Sequence, residues 1–305
     1  MLKDRKMYVN GRLVKWEDAT VHLMSHSFCR GSGIFEVMSL HKTEKGRAVF
    51  RLDAHLDRLE RTADLLGMDL PMDREGFTEA IFHTVRANNV ENGYVKLICY
   101  YGKVAVHVMP NQEKMDTCIA VIDPETDMED EKAHADQPLT IALCKIRKLH
   151  PETIPIEAKA AANYLNGMLS RTEAARKGAD VGIMLDTQGF LAEGSTESIF
   201  IVKDGILYTP AAGTVLKSIS RKSILEIAPV LGIEMVEKRL SPEILFEADE
   251  IFLSSTGGRA QPVRKVDDHV LPEAPGPVCR RLMGAFEDIA MDRDSRFSHW
   301  LFYVE

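Results

Sequence analysis

The apolar positions of the first 120 or so residues change period several times. Met7 to Val14 alternates around Asn10-Gly11, a dipeptide that accepts positive φ at both turn positions, so the spacing predicts a two-residue hairpin. Ile34 to Leu40 and Ala48 to Arg51 read as further strands. The period then lengthens: Leu56, Leu59, Ala63 and Leu66 fall on one helical face, with Gly67 as the expected stop. A second helix is expected after Pro71, with Phe77, Ile81 and Val85 turned inward. Alternation resumes at Tyr94 to Tyr101, Val104 to Met109 and Thr117 to Ile122, which predicts an α+β domain over residues 1–122.

From Asp123 to Pro138 the chain is acidic and nearly devoid of large apolar residues, as expected of an interdomain linker. Residues 139–305 then form the expected second domain. Its elements are a strand from Leu139 to Lys145, a polar crossing at Arg147 to Pro151, a helix over about 163–177 and a strand from Val181 to Asp186. Another strand around Ile199 to Val202 leads into a second hairpin on Asp204-Gly205. Helices are expected from about Ser220 to Leu231 and from about Pro277 to Ile289, with a strand from Asp249 to Leu253 between them. The tail from Arg296 to Glu305 carries Phe297, Trp300, Phe302 and Tyr303, too apolar for a loose end, and is expected to pack on the body or on a neighbouring subunit.

Composition narrows the function classes. With 305 residues, 45% hydrophobic and 28% charged, the chain is long enough for two ordinary domains, each with its own core. Its apolar runs are too short for a membrane span, and the basic start Met1 to Lys6 is followed by no apolar stretch, so a cytoplasmic location is expected. Five scattered cysteines without a C-x-x-C pair read as reduced thiols, with no disulfide frame and no metal site. A net charge of -8 disfavours nucleic acid as a partner.

Two residues stand out chemically. Lys159 lies in Glu157-Ala158-Lys159-Ala160-Ala161-Ala162-Asn163-Tyr164, among small apolar neighbours. A lysine that holds a carbonyl carbon covalently must spend part of its time as a neutral amine, which desolvation by such neighbours favours. The same stretch also reads as a helix start with a solvated lysine. Glu193, in Phe190-Leu191-Ala192-Glu193-Gly194-Ser195, is held on an expected strand between apolar residues and a glycine, an expensive place for a carboxylate unless a cation sits against it.

Glu193-x-Ser195, Ile199-Phe200, Thr209-Pro210 and Leu216-x-Ser218-Ile219-Ser220-Arg221, in that order, resemble the signature of the class IV aminotransferases, pyridoxal-phosphate enzymes of fold type IV. Within them the chain is most similar to branched-chain amino acid aminotransferases, from Met7-Tyr8-Val9-Asn10-Gly11 to about Ala285. The resemblance implies a two-domain α+β and α/β fold of the D-amino acid aminotransferase type. Cofactor and substrate would lie in the cleft between the domains, and the enzyme would be at least a homodimer with the loop around Arg30 contributed across the interface. Lys159 would hold pyridoxal 5'-phosphate and shuttle the substrate proton, and Glu193 would keep the pyridine nitrogen protonated. Tyr164 would bond the ring hydroxyl and Leu216 would pack on the ring face. For the phosphate the resemblance implies Ile219 and Ser220 at a helix start, Thr256, and Arg58. Read from the residues alone, Tyr164 can also be a core tyrosine, Ser220 a capping serine and Arg58 a solvated helix charge.

The substrate side, which by resemblance comprises Arg30, Phe35, Tyr94, Lys96, Gly257, Gly258 and Arg259, is where the chain departs from the family. Arg30 stands where relatives usually have tyrosine and Lys96 where they have arginine; Thr256-Gly257-Gly258 replaces threonine-alanine-alanine and Ser198 an asparagine. Lysine cannot reproduce the two-pronged grip of arginine on a carboxylate. The first expectation is transfer from a branched-chain L-amino acid to 2-oxoglutarate. The added positive charge keeps open a D-amino acid aminotransferase or another class IV member, and 4-amino-4-deoxychorismate lyase is the alternative from a different reaction class. Arg30 and Arg259 can instead be read as structural ion-pair partners.

Overall fold

The computed structural model describes residues 2–127, 137–257 and 259–304, and its first hairpin forms where the sequence places it. β1 (Lys6–Val9) and β2 (Arg12–Lys15) pair across Asn10-Gly11, whose φ angles of 46° and 88° are those such a turn requires. After a short helix α1 (His26–Arg30) come β3 (Ile34–Thr43), β4 (Gly46–Phe50), β5 (Gly93–Tyr100) and β6 (Asp116–Ile122). They form an antiparallel seven-stranded sheet in the order β4-β3-β5-β6-β1-β2, with Leu301–Tyr303 added beyond β4. Helices α2 (Leu52–Leu66) and α3 (Arg74–Asn88) supply Leu52, Leu56, Leu59, Ala63, Phe77, Ile81 and Val85 to a core shared with Ile34, Met38, Val95, Leu97, Ile119 and Val121. Gly67 ends α2 in the left-handed conformation, as its position predicts. The other face of the sheet carries Phe35, Val37, Tyr94, Lys96 and Ile98, which are only partly buried or exposed.

The alternating stretch from Val104 to Met109 is not a strand. Its backbone is held by the loop before α1 through the bridge of Ser25 to Val104 and the bond from the Ala105 N–H to Met24 O. Side chains of Arg30 and His26 hold the Val106 and Val108 carbonyls. Among the described residues no neighbouring strand supplies a ladder there, so alternation alone misleads.

A further turn of helix, α4 (Pro124–Asp127), follows β6. Residues 128–136 of the expected linker lie outside the described residues. The second sheet is mixed: β7 (Leu139–Arg147), β8 (Val181–Leu185), β9 (Ser198–Lys203), β10 (Ile206–Pro210), β11 (Met235–Lys238), β12 (Glu250–Ser254), β13 (Gln261–Val266) and β14 (His269–Val270). Its order is β11-β10-β9-β12-β13-β7-β8, with β14 on the edge of β13; the β10-β11, β13-β7 and β7-β8 pairs are parallel. The β9-β10 turn is the expected Asp204-Gly205 pair, at φ 52° and 77°. Helices α5 (Tyr164–Arg176), α6 (Ile219–Val230) and α7 (Pro277–Ala290) complete this part.

The chain divides into two compact units. The first takes the described residues up to 127, Ala158–Ala162 and the described residues from Asp288 onward; the second takes the described residues from 137 to Glu157 and from Asn163 to Glu287. The sequence pattern keeps 139–305 together, whereas in the fold two segments of it join the first unit. Ala158–Ala162 lies along β3, and the C-terminal tail adds a strand to β4. Trp300 anchors that tail: it is 2% exposed, its carbonyl accepts the Arg51 N–H at 2.7 Å, and the Arg51 guanidinium lies 4.2 Å from its ring centroid.

Candidate active site

Lys159 is in extended backbone, not at a helix start. The Phe35 N–H donates to Lys159 O at 3.1 Å and the Ala161 N–H to Gly33 O at 2.8 Å, so the segment runs beside the start of β3. On its other side the Lys159 N–H donates to Thr62 Oγ1 of α2 at 3.1 Å. The residue is thus fixed between a strand and a helix. Its Nζ lies 4.7 Å from the Phe35 ring centroid, and Lys96 Nζ lies 5.6 Å from the same centroid. Two cations therefore share one aromatic ring. Tyr94 is two residues before Lys96 on β5, and so on the same face of that strand.

Beside this lysine is a buried polar group that sequence reading missed. Glu36, next to Phe35 but on the opposite face of β3, has no exposed surface. Arg58 donates to it twice, Nε to Oε1 at 2.8 Å and Nη2 to Oε2 at 2.6 Å, and His55 Nδ1 lies 2.6 Å from Oε2. Burial alone would raise the Glu36 pKa; the charge and hydrogen bonds of Arg58, with those of His55, outweigh it and hold the carboxyl at about 2. Burial pushes His55 below its usual range, the Glu36 contact opposes this, and the charges of Arg58 and Lys159 lower it further. His55 is then neutral at pH 7, with its Nδ1 proton directed at Glu36. Arg58 is 9% exposed, which removes the reading of a solvated helix charge.

Arg30 bonds two backbone carbonyls. At the end of α1 it donates from Nη1 to Cys29 O at 3.4 Å and from Nη2 to Val106 O at 3.1 Å, tying the helix to the 104–109 segment.

In the second unit Glu193 has the cation that its apolar setting demands. It is Lys148, from the polar crossing after β7; the two side chains form an ion pair and each is 10% exposed. The sequence places Glu193 on a strand, but it lies on the return from β8: the Met184 N–H donates to its carbonyl and the Ala192 N–H to Met184 O, both at 3.0 Å. The following turn is closed by the Gly194 N–H on Glu197 O at 2.7 Å and by the Glu197 carboxylate, which accepts from the Thr196 N–H, Thr196 Oγ1 and Arg171 Nη2. Helix α5 approaches this turn so closely that a Cβ on Gly167 would lie 2.1 Å from Ser195 O. Tyr164, partly buried, opens the same helix one turn earlier.

Helix α6 begins one residue earlier than expected. Ser218 is its N-cap, accepting the Arg221 N–H on Oγ at 3.3 Å, while Ile219 and the buried Ser220 occupy the first turn. The helix start thereby keeps its capping hydroxyl and presents the Ser220 hydroxyl separately. Leu216 precedes the cap and is partly buried. Thr256 and Gly257 follow the end of β12; Gly257 and Arg259 line a cavity of about 450 Å³ with Gln137, Gln261 and Met283. Gly258 lies outside the described residues. Three buried hydroxyls, Ser195 Oγ, Ser198 Oγ and Ser254 Oγ, make no hydrogen bond among the described residues, and Ser198 faces Ser254 in the β9-β12 register. Unsatisfied buried hydroxyls are uncommon and mark a place where a polar ligand or water is expected.

The comparisons with known proteins agree with one another. The family model described as amino-transferase class IV matches residues 33–266. A branched-chain-amino-acid aminotransferase of Pseudomonas aeruginosa is 34% identical over 98% of this chain and 97% of its own length. Among solved structures, the Escherichia coli branched-chain amino acid aminotransferase superimposes with a TM-score of 0.92 at 34% identity, covering 99% of this chain and all of that one. The branched-chain amino acid aminotransferase from Thermobaculum terrenum, solved in its PLP-form, gives 0.90 at 28% identity over the whole of both chains.

Proposed function

The chain belongs to the class IV aminotransferases, and from that membership we propose that it is a pyridoxal-phosphate-dependent transaminase passing the amino group of a branched-chain L-amino acid to 2-oxoglutarate. The observation that carries the reading is Lys159: a lysine in backbone pinned on both sides, its amine over an aromatic ring, is a placed nucleophile and not a surface charge. The branched-chain names of the full-length relatives support the substrate choice over the D-amino acid and lyase alternatives.

The residues fit the cofactor. A carboxylate with little access to water, three unpartnered buried hydroxyls and a capped helix start are the donor and acceptor set that a cationic ring and a phosphate ester call for. Pyridoxal phosphate, when bound, supplies a sink for the electrons released as the substrate α-proton leaves. Lys159 Nζ would hold its carbonyl carbon and, once released, carry that proton. The Glu193 carboxylate would hold a proton on the ring nitrogen, Tyr164 would bond the ring hydroxyl, and Leu216 would cover the ring. Ile219, Ser220, Thr256 and Arg58 would bind the phosphate. Phe35, Tyr94, Lys96, Gly257, Gly258, Arg259 and Arg30 would receive the substrate, with Lys96 as a cation suited to the side-chain carboxylate of 2-oxoglutarate.

Assembly as a homodimer fits the same reading. Leu23, Met24, Phe28, Val104, Val106, Val108 and Met109 are exposed on two segments bonded to each other in the Arg30 region, a surface that a second copy would cover. No helix among the described residues is long and apolar enough to cross a membrane. The reading places the enzyme in the cytoplasm and keeps residues 123–138 as the connection between domains. Incubating the holoenzyme with L-leucine and 2-oxoglutarate tests the proposal: L-glutamate and the 2-oxo acid of leucine must form together. Turnover of D-alanine with none of L-leucine would refute it.

A further inference from the structure

We propose that Glu36, backed by His55, is a positioning residue that presets the Arg58 guanidinium for the phosphate ester of the cofactor. The inference rests on the reading of Lys159 as the amine that holds that cofactor.

The geometry starts from Glu36, the third residue of β3, which is paired with Leu97 of β5. Its two oxygens take Nε–H and one Nη2 hydrogen of Arg58, a side-on pair of hydrogen bonds that fixes both the plane and the direction of the guanidinium. Such a pairing turns the opposite edge of the fork, with both Nη1 hydrogens, away from Glu36. His55, three residues before Arg58 on α2, contacts the Oε2 that Nη2 also uses, so the carboxylate is held from two sides. The low pKa of Glu36 keeps this acceptor charged at every pH at which the protein would work.

The same frame carries the amine. Phe35, adjacent to Glu36, bonds the Lys159 carbonyl and lies under its Nζ, and Thr62, four residues after Arg58 on α2, accepts the Lys159 N–H. One strand and one helix thus fix a nucleophilic nitrogen and an oriented guanidinium together. A planar, permanently charged fork is suited to the phosphate ester of an aldehyde that such an amine holds. An ion pair of this burial contributes little stability over apolar packing, so its presence beside the lysine calls for another role.

The test uses apoprotein and compares dissociation constants for pyridoxal phosphate and for pyridoxal, which lacks the phosphate, in wild type, Arg58→Ala, Glu36→Gln and Glu36→Asp. Inorganic phosphate serves as a competitor. Arg58→Ala should lose preference for the phosphorylated form. Glu36→Gln should lose about tenfold of that preference with pyridoxal affinity unchanged, a size typical for removal of an outer-shell partner. Glu36→Asp keeps the charge and withdraws it by one methylene; it should show the same loss and decides the matter if Glu36→Gln does not fold. Equal weakening of both ligands, or wild-type preference in folded Glu36 variants while Arg58→Ala loses it, would overturn the inference alone. Preference retained in Arg58→Ala would remove Arg58 from the phosphate site and this inference with it. No binding of pyridoxal phosphate by wild type would instead refute the transaminase reading.

Discussion

Phe35 holds Lys159 twice: its N–H donates to the lysine carbonyl at 3.1 Å, and its ring centroid lies 4.7 Å from the lysine Nζ. The backbone bond survives any substitution other than proline, so Phe35→Leu isolates the aromatic face. A partly desolvated cation over a ring is worth about 0.5 to 2 kcal/mol, so kcat/KM should fall roughly twofold to thirtyfold with the melting temperature little changed. Steady-state kinetics beside a thermal melt would check it.

Glu36 predicts the acid limit of stability. Its carboxyl is held at about 2 in the folded chain against an ordinary value of 4.5, so the folded state binds fewer protons than the unfolded one in that window. The stabilisation is present above pH 4.5 and is lost as the pH falls through about 2. Urea midpoints measured across pH 5 to 2 should decline in wild type and decline less in Glu36→Gln. At neutral pH that variant should be less stable by about 3–5 kcal/mol, since it leaves Arg58 buried without its anion.

Asp292 anchors the C-terminal tail. It accepts from Lys45, from Ser298 Oγ at 2.5 Å and from Tyr303 Oη at 2.7 Å, and these partners outweigh burial to hold its carboxyl at about 2. Its φ of 57° is one that asparagine also adopts readily, so Asp292→Asn removes the charge and leaves the backbone in place. The variant should melt lower, and limited proteolysis should cut its tail sooner than that of wild type.

Gly167 controls how closely α5 approaches the turn after Glu193. With Ser195 O only 2.1 Å from where a Cβ would sit, Gly167→Ala must displace that turn or the helix. Overpacking of this kind costs about 1–3 kcal/mol. A lowered urea midpoint together with weakened cofactor binding is expected, and an unchanged midpoint would contradict the packing described.

The local rules of turn and helix chemistry were readable in the chain. Asn10-Gly11 and Asp204-Gly205 are turns because few other pairs tolerate their φ angles, and Gly67 ends α2 for the same reason. Glu193 was recognisable as needing a cation, but nothing local identifies Lys148, which reaches it from another part of the chain. The Glu36, His55 and Arg58 group was invisible for the same reason: strand and helix meet only in the folded unit. Lys159 was ambiguous because its small neighbours suit both a helix start and an extended segment, and only the bonds to Phe35, Gly33 and Thr62 select the second. The 104–109 segment alternates like a strand, yet its hydrogen-bond partners are a loop and the side chains of His26, Arg30 and Asn111.

The central claim is that Lys159 is the amine that holds the cofactor. Borohydride reduction of the holoenzyme followed by peptide mapping tests it most directly. The account predicts a phosphopyridoxyl group on Nζ of Lys159 and its absence in Lys159→Ala; the group on another lysine, or no modification with pyridoxal phosphate supplied, would contradict it.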